Sequence, residues 1–475
     1  MNFSKRHGLF GQILFVMLLA AVLFGAFGQV LYFGSLQLDD PKHVFENPLI
    51  LQGSLGNLLR VWREPRFSLF VPVTYTLWYW GARISEMCGL PLTAGMHGLN
   101  LLLHFFCSCL VFSCLKAILD CLGKPRSTLR AGLGALIFAL HPLQVSTISW
   151  VSLADNSLAA ALGLMAWRGY LSLYSLRRGE DVVPKRTFAI FSTCFVAALL
   201  AKSTLVILPV WVVAIDRIVL KRKWKECVTP LLMVWVTLSI PIAVVAKFLQ
   251  PTGEIPHVAP TWFRPIVALD ALSFYVRKVI FPFGLAIDYG RTPLWLREHY
   301  ASEGWWAAIL VGICLVTWRR KVGRSLRAIL ILFAVGILPV AGFIPFSYQT
   351  YSTVAGHYVY WSLIAVAAGL VLQEWILLPK GFIALSLLVI AYFGMSTYEC
   401  SCWKNDATAF GRSLRANPNS FLVHNDLGVY YFAEKDYYRA AYHFQEAIRC
   451  APERTPLYSN LKNSLALMES HDQRP

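Results

Sequence analysis

Two adjacent carboxylates, Asp39 and Asp40, stand in the stretch Leu38-Asp39-Asp40-Pro41-Lys42-His43. Adjacent acids repel, and partial burial adds to the effect. The pKa of at least one then rises toward the range in which a carboxylate works as a general base. The other reading of the same residues is a solvated acidic turn ahead of a proline. A third acid, Asp155 in Trp150-Val-Ser-Leu-Ala-Asp155-Asn156, sits at the end of an apolar block. An ionisable group so placed is costly and marks a functional position, unless it caps a helix, where Asp is favoured. Lys202 is the lone cation between two apolar blocks. As a point charge it suits a lipid phosphate, or it snorkels to water. His357 and Tyr358 offer donors to that same phosphate, or pack at the interface. Asp288 and Arg291, in Asp288-Tyr289-Gly290-Arg291, add an acid and a cation, or make a loop turn. His43 and His141 complete the polar candidates, His141 being also a plain helix end before Pro142.

The elements that must position these residues are membrane helices. Of 475 residues, 57% are hydrophobic and 15% charged, with a mean hydropathy of +0.54, where a soluble chain carries about 25% charged residues. The missing charge is stripped from blocks of about 20 residues, the length of a helix that crosses hydrocarbon. In lipid such blocks must be helical to satisfy their own backbone. The blocks run approximately 9–33, 95–119, 131–149, 152–175, 187–200, 203–220, 228–249, 304–318, 328–346, 357–376 and 378–397. The expected fold class is all-α and polytopic, with about eleven spans.

A net charge of +17 would suit a nucleic-acid binder, but the cations cluster in short loops, as the positive-inside rule demands. Lys124, Arg126 and Arg130, then Arg177, Arg178, Lys185 and Arg186, then Lys221–Lys225 and Arg319–Arg327 fall in alternate loops. Connections near 142–152 and 344–356 contain none. That pattern places the N-terminus inside, the C-terminus outside, and the candidate residues on the outer face. The apolar run from Leu9 to Phe33 is too long for a cleaved signal and reads as a retained helix. Outer loops at about 34–94 and 251–303 each carry a semi-apolar stretch, Ser68–Gly81 and Ile266–Ile287, flanked by Arg66, Arg83, Arg277 and Lys278. These suit helices lying in the interface.

Beyond Tyr398 the composition turns polar. Leu427, Gly428, Tyr431, Ala440, Phe444, Ala447 and Pro452 follow the spacing of a tetratricopeptide repeat. Gly428 and Ala440 let paired helices approach while Tyr431 and Phe444 fill between them. A half repeat (Phe410, Pro418) precedes it and a degenerate one (Tyr458, Leu461) follows. Domains are thus expected at 1–397 and 398–475. Cys400, Cys402 and Cys450 could form a disulfide if the tail faces an oxidising compartment. No Walker loop, dinucleotide glycine fingerprint, HExxH or GxSxG stands where its mechanism would work.

With these residues in view, the chain resembles the GT-C membrane glycosyltransferases, in particular the protein O-mannosyltransferase-like branch that ends in tetratricopeptide repeats. The stretches that carry the likeness are LDDPKHVFENP (38–48), HGLNLLLH (97–104), FALHPLQVSTISWVSLADNSLAA (138–160), LLAKSTLVILP (199–209), FPFGLAIDYG (281–290), GHYVY (356–360) and WKNDATAFGRSLRANPNSFLVHNDLG (403–428). The resemblance implies an inverting transfer of a sugar from a polyprenyl-phosphate carrier to a hydroxyl of an exported protein. It assigns Asp39 as catalytic base, Asp40 as its orienting partner or an acceptor contact, and Asp155 as a second catalytic acid. Lys202, with His357, Tyr358 and Arg291, would hold the donor phosphate, and His43, His141 and Asp288 would contact substrate. No metal is required, although the paired acids could hold a divalent cation. The tail would recruit the acceptor protein.

This chain departs from the family pattern at several positions. Gln144 and Ser146 replace a His and a Glu, Ser152 and Leu153 a Gly-Arg, His357 an Arg, and Ser362-Leu363 a Pro-Ser. Either the donor differs from the usual mannose carrier, or the site is silent and the chain is a scaffold binding a partner through its repeats. A transporter would instead place ionisable groups at the midplane in symmetric broken helices. The short tail points to a bacterial inner membrane, with the endoplasmic reticulum as alternative.

Overall fold

The computed structural model describes residues 3–175, 184–249, 258–303 and 321–472, with positions 309, 312, 315 and 316 between them. Among these residues all regular structure is helical, apart from an isolated bridge between Arg66 and Leu69. Hydropathy alone explains the longest elements: α1 (Phe3–Phe27), α3 (Leu92–Cys121), α7 (Pro230–Leu249) and α11 (Pro379–Ser401), with α2 (Pro72–Met87) lying between the first two. Those four are long and apolar enough to cross a bilayer. Helix α4 (Ser127–Ala139) with residues Pro142–Ser149 makes a fifth span if the pair, bent by 54°, is counted as one. The chain is a membrane-embedded helical protein.

The remaining apolar blocks form shorter or interrupted helices, which differs from a simple array of eleven full spans. They include α5 (Ala154–Tyr170), α6 (Lys185–Ala201), α9 (Lys321–Ile337) and α10 (Leu363–Val371). Block 304–318 falls largely outside the described residues. The interruptions have local causes. Pro142 disfavours helical backbone at the residue before it, and His141 is extended at φ −65°, ψ 130°. A second break follows at Trp150, also extended, before α5 begins. Helix α6 stops where Lys202 turns extended at φ −157°, ψ 120°.

Carbonyls and amides released at such breaks need partners inside a membrane protein. Helix α3 supplies several from one face, because His97, Asn100 and His104 are spaced i, i+3, i+7. His97 Nε2 meets the Gly34 carbonyl at 3.1 Å, and Asn100 Nδ2 donates to the Trp150 carbonyl at 2.9 Å. His104 Nε2 meets the Ala139 carbonyl at 3.0 Å, while its Nδ1 meets the Tyr360 hydroxyl at 2.9 Å. All three side chains are buried. Helix α4 packs close to α3 and α10 because residue 134 is Gly: a Cβ there would lie 2.7 Å from Leu115 and 3.1 Å from Val371.

The semi-apolar stretches Ser68–Gly81 and Ile266–Ile287 are helical over most of their length, in α2 and in α8 (Arg264–Ile280). Helix α2 is tied to the end of α6 through Thr74 Oγ1, which donates to the Ala201 carbonyl at 2.9 Å. The tail forms α12 (Asp406–Ala416), α13 (Phe421–Ala433), α14 (Tyr437–Cys450) and α15 (Thr455–Asp472). Gly428 is what lets α13 and α14 pair, since a Cβ would lie 2.5 Å from the Phe444 ring. The tail docks on the membrane domain through specific polar joints. Gln37 N donates to Asp406 Oδ1 at 2.8 Å, and Ile287 N donates to Ser413 Oγ at 3.1 Å. Arg412 pairs with Glu399 at 3.1 Å. Cys400, Cys402 and Cys450 carry no disulfide, Cys400 being buried with its Sγ 3.5 Å from Ser149 Oγ.

Candidate functional site

Four chain breaks meet at one level: the loop after α1, residues 150–155, the Lys202 turn and the segment 338–358. Between them lies a cavity of about 1110 Å³. Asp39, His43, Asp155, Lys202, His357 and Tyr358 all line it, although they come from four separate parts of the chain. Asp39 is exposed there.

The adjacent acids are divided in role. Asp40 is fully buried. Its Oδ1 accepts from the Ser152 amide at 2.8 Å and the Ser152 hydroxyl at 2.6 Å, and its Oδ2 accepts from the Leu36 amide at 3.2 Å. Burial pushes its carboxyl up to about 6, the Ser152 and Leu36 bonds opposing that rise and the charge of Asp39 adding to it. So the raised acid is a strut joining the first loop to the 150s, and the acid facing the cavity is its neighbour. Ser152 is the residue of the 150s that holds it.

Asp155 and Lys202 form an ion pair, Lys202 Nζ to Asp155 Oδ2 at 2.8 Å, each side chain under one-fifth exposed. Asp155 lies in the first turn of α5 but does not cap it. Its Oδ1 is buried with no hydrogen-bond partner, as are Asn156 Nδ2 and Trp150 Nε1 beside it. Buried polar atoms without partners are uncommon and call for an explanation. His357 packs edge-on to Trp150, 6.1 Å between ring centroids, and against Tyr358 at 4.4 Å. His43 is buried, its Nδ1 2.7 Å from the Tyr75 hydroxyl. Burial pulls its imidazole below the usual value, with Asp39 acting in the opposite sense.

The remaining candidates lie elsewhere. Arg291 is locked in a buried pair with Asp270 on α8. Asp288 is buried at the joint with the tail, where its Oδ2 accepts from the Ser420 hydroxyl at 2.5 Å and its Oδ1 from the Gly290 amide at 2.8 Å. His141 is buried in the bend, its Nδ1 accepting from the Leu143 amide at 3.2 Å and its Nε2 3.2 Å from the Val279 carbonyl. None of the three lines the cavity.

The sequence reading missed Lys42, Tyr348, Tyr351 and Arg454, which also line it. Lys42 follows the acid pair and was in plain view. The tyrosines come from an aromatic-rich stretch, and Arg454 comes from the tail with no local signal. Towards α7 the lining is mostly apolar, with Ala243, Ala246, Leu338, Val340 and Ile344, and Lys247 of α7 adds one cation. A second apolar cavity of about 150 Å³ shares Leu69, Val71 and Ala246 with the first and continues along α7. Among the described residues no three His, Cys, Asp or Glu side chains converge as metal ligands.

No protein-family model matches this chain, and no curated protein matches it.

Proposed function

We propose that this chain is a GT-C-type glycosyltransferase that moves a sugar from a polyprenyl-phosphate carrier to a hydroxyl of an exported protein. In this reading its eleven apolar blocks are membrane segments, several of them broken at the outer face, and its tail is a short tetratricopeptide array. The observation that carries the proposal is the shared cavity. It joins a free carboxylate, Asp39, and an acid–cation pair, Asp155 and Lys202, to an apolar groove beside α7. A lipid-linked sugar phosphate has that same combination of parts.

The chemistry runs as follows. Asp39 takes the proton of the acceptor hydroxyl as its oxygen attacks the anomeric carbon. A carbon–oxygen bond forms to the acceptor, the anomeric carbon–phosphate oxygen bond breaks, and polyprenyl phosphate leaves with the electron pair. Lys202 stabilises the charge developing on that phosphate, and preorganised cations in dry sites are worth several kcal/mol in this role. In the resting pair Asp155 holds Lys202 in place, and Asp155 Oδ1 is left to meet the sugar. The apolar groove takes the first isoprene units.

The test is intact-mass spectrometry of exported proteins from the native host expressing wild type, Asp39→Asn or Lys202→Ala. A hexose-sized adduct present with wild type and absent with both variants supports transfer. Identical masses in all three strains, together with a phenotype on deleting residues 398–475, would replace it with a partner-binding scaffold.

A further inference from the structure

The tail reaches the cavity through Arg454, in the turn between α14 and α15. Its guanidinium lies 4.3 Å from the Phe421 ring centroid and 5.9 Å from that of Tyr351. Aromatic faces hold a guanidinium in place without neutralising it. Its Nε is buried with no acceptor. No carboxylate pairs with Arg454 among the described residues. Asp426 on α13 accepts from Asn425 Nδ2 at 3.0 Å, and burial pushes its carboxyl up to about 8. A positioned cation with an empty donor is the reverse of what packing alone favours, since buried donors are normally satisfied.

Location decides which anion it meets. Arg454 and Asp39 both line the large cavity, and neither lines the apolar groove. The apolar groove that suits a lipid runs along α7 instead. The acceptor must approach Asp39, in the cavity to whose lining the tail contributes Arg454.

We propose that Arg454 is a specificity-determining residue that binds a carboxylate of the acceptor polypeptide beside the hydroxyl to be modified, making the tail one wall of the cavity and acidic segments its preferred substrates. This rests on the transferase reading given above. Guanidinium and carboxylate form two parallel charge-assisted bonds, which fixes orientation as well as affinity. The flanking acid would thereby set the register of the hydroxyl against Asp39.

The experiment uses the full chain in neutral phosphatidylcholine nanodiscs and two fluorescent peptides of Ser, Thr, Gly and Ala, one with two Asp flanking a central Thr, the other with two Asn. Anisotropy should show the Asp peptide bound about tenfold more tightly by wild type, the size of one good charge-assisted contact. Arg454→Gln should erase the preference, Arg454→Glu should reverse it, and Arg454→Lys should keep part of it. Equal binding of both peptides by wild type, or a preference that survives Arg454→Gln, overturns the assignment. So does a loss of polyprenyl-phosphate binding in Arg454→Gln with the peptide preference unchanged, because the cation then serves the donor. The readout needs no turnover. A wild-type chain that prefers the Asp peptide but transfers no sugar upholds the subsite and sinks the transferase reading instead.

Discussion

Two acid–cation pairs in this molecule look alike in the sequence and differ in the structure. Asp155 with Lys202 opens on the large cavity and leaves Asp155 Oδ1 without a partner. Asp270 with Arg291 is closed, both side chains less than one-tenth exposed, and Arg291 faces no cavity of comparable size. The closed pair links α8 to the loop that carries Asp288, and hence to the tail. The backbone on the loop side is fixed as well, since the Thr353 amide and hydroxyl both donate to the Arg291 carbonyl, at 2.8 and 2.9 Å. A satisfied pair is architecture; a half-satisfied one at a cavity wall is poised to exchange its partner for a ligand.

This contrast can be broken most forcefully from the closed side. Arg291→Ala removes the cation beside buried Asp270, a loss of about 3–5 kcal/mol. It should appear as a large fall in melting temperature and yield in detergent. Lys202→Ala should cost far less stability, about 1 kcal/mol, because water in the cavity can rehydrate Asp155. Its transfer rate should nevertheless fall by about 10²–10³. Melting curves and rates measured on the same two preparations check both halves. If the two variants lose stability equally, the distinction between the pairs is unsound.

How much of this was legible beforehand depends on what each residue reports locally. Helices α3, α7 and α11 are visible from hydropathy, and the bend at His141-Pro142 from the proline. Asp155 and Lys202 each stood out as an ionisable group in apolar surroundings. That they meet is a tertiary fact, as they are 47 positions apart. The sequence supplied a lipid phosphate as the anion for Lys202, and the structure supplies Asp155 first. Which of Asp39 and Asp40 turns inward is decided by Ser152, over a hundred residues away. Arg291 and Asp288 were misleading for the same reason: the partners that lock them, on α8 and in the tail, carry no local mark.

The strut beneath the open pair gives a smaller effect. Ser152→Ala removes one hydroxyl bond to a carboxylate, about 1.5–3 kcal/mol where that carboxylate is charged. Asp40 has its pKa raised to about 6, so its contribution to stability is present below the unfolded value and lost as pH rises through the folded one. Losing the Ser152 hydroxyl raises that pKa further. The deficit of the variant should therefore be larger at pH 8 than at pH 5, as seen by chemical denaturation at both.

The tail offers the sharpest sign. Asp426 is raised to about 8, so stability falls by about 1.4 kcal/mol per pH unit between the unfolded carboxyl value and that folded one, and levels off above it. Asp426→Asn should flatten this slope, gaining on wild type as pH rises from about 5 to about 8. Differential scanning fluorimetry across that range measures it, and parallel slopes in the two proteins would contradict the burial of this acid.

The most direct measurement concerns Asp39, the carboxylate exposed in the cavity. Membranes carrying wild type or Asp39→Asn are given a radiolabelled polyprenyl-phosphate sugar and a Thr-containing acceptor peptide, and the released polyprenyl phosphate is followed over time. The account predicts peptide-dependent release by wild type and a rate about 10²–10⁴ lower in the variant, with equal melting temperatures. Equal release by the two proteins, or none from either, would contradict it.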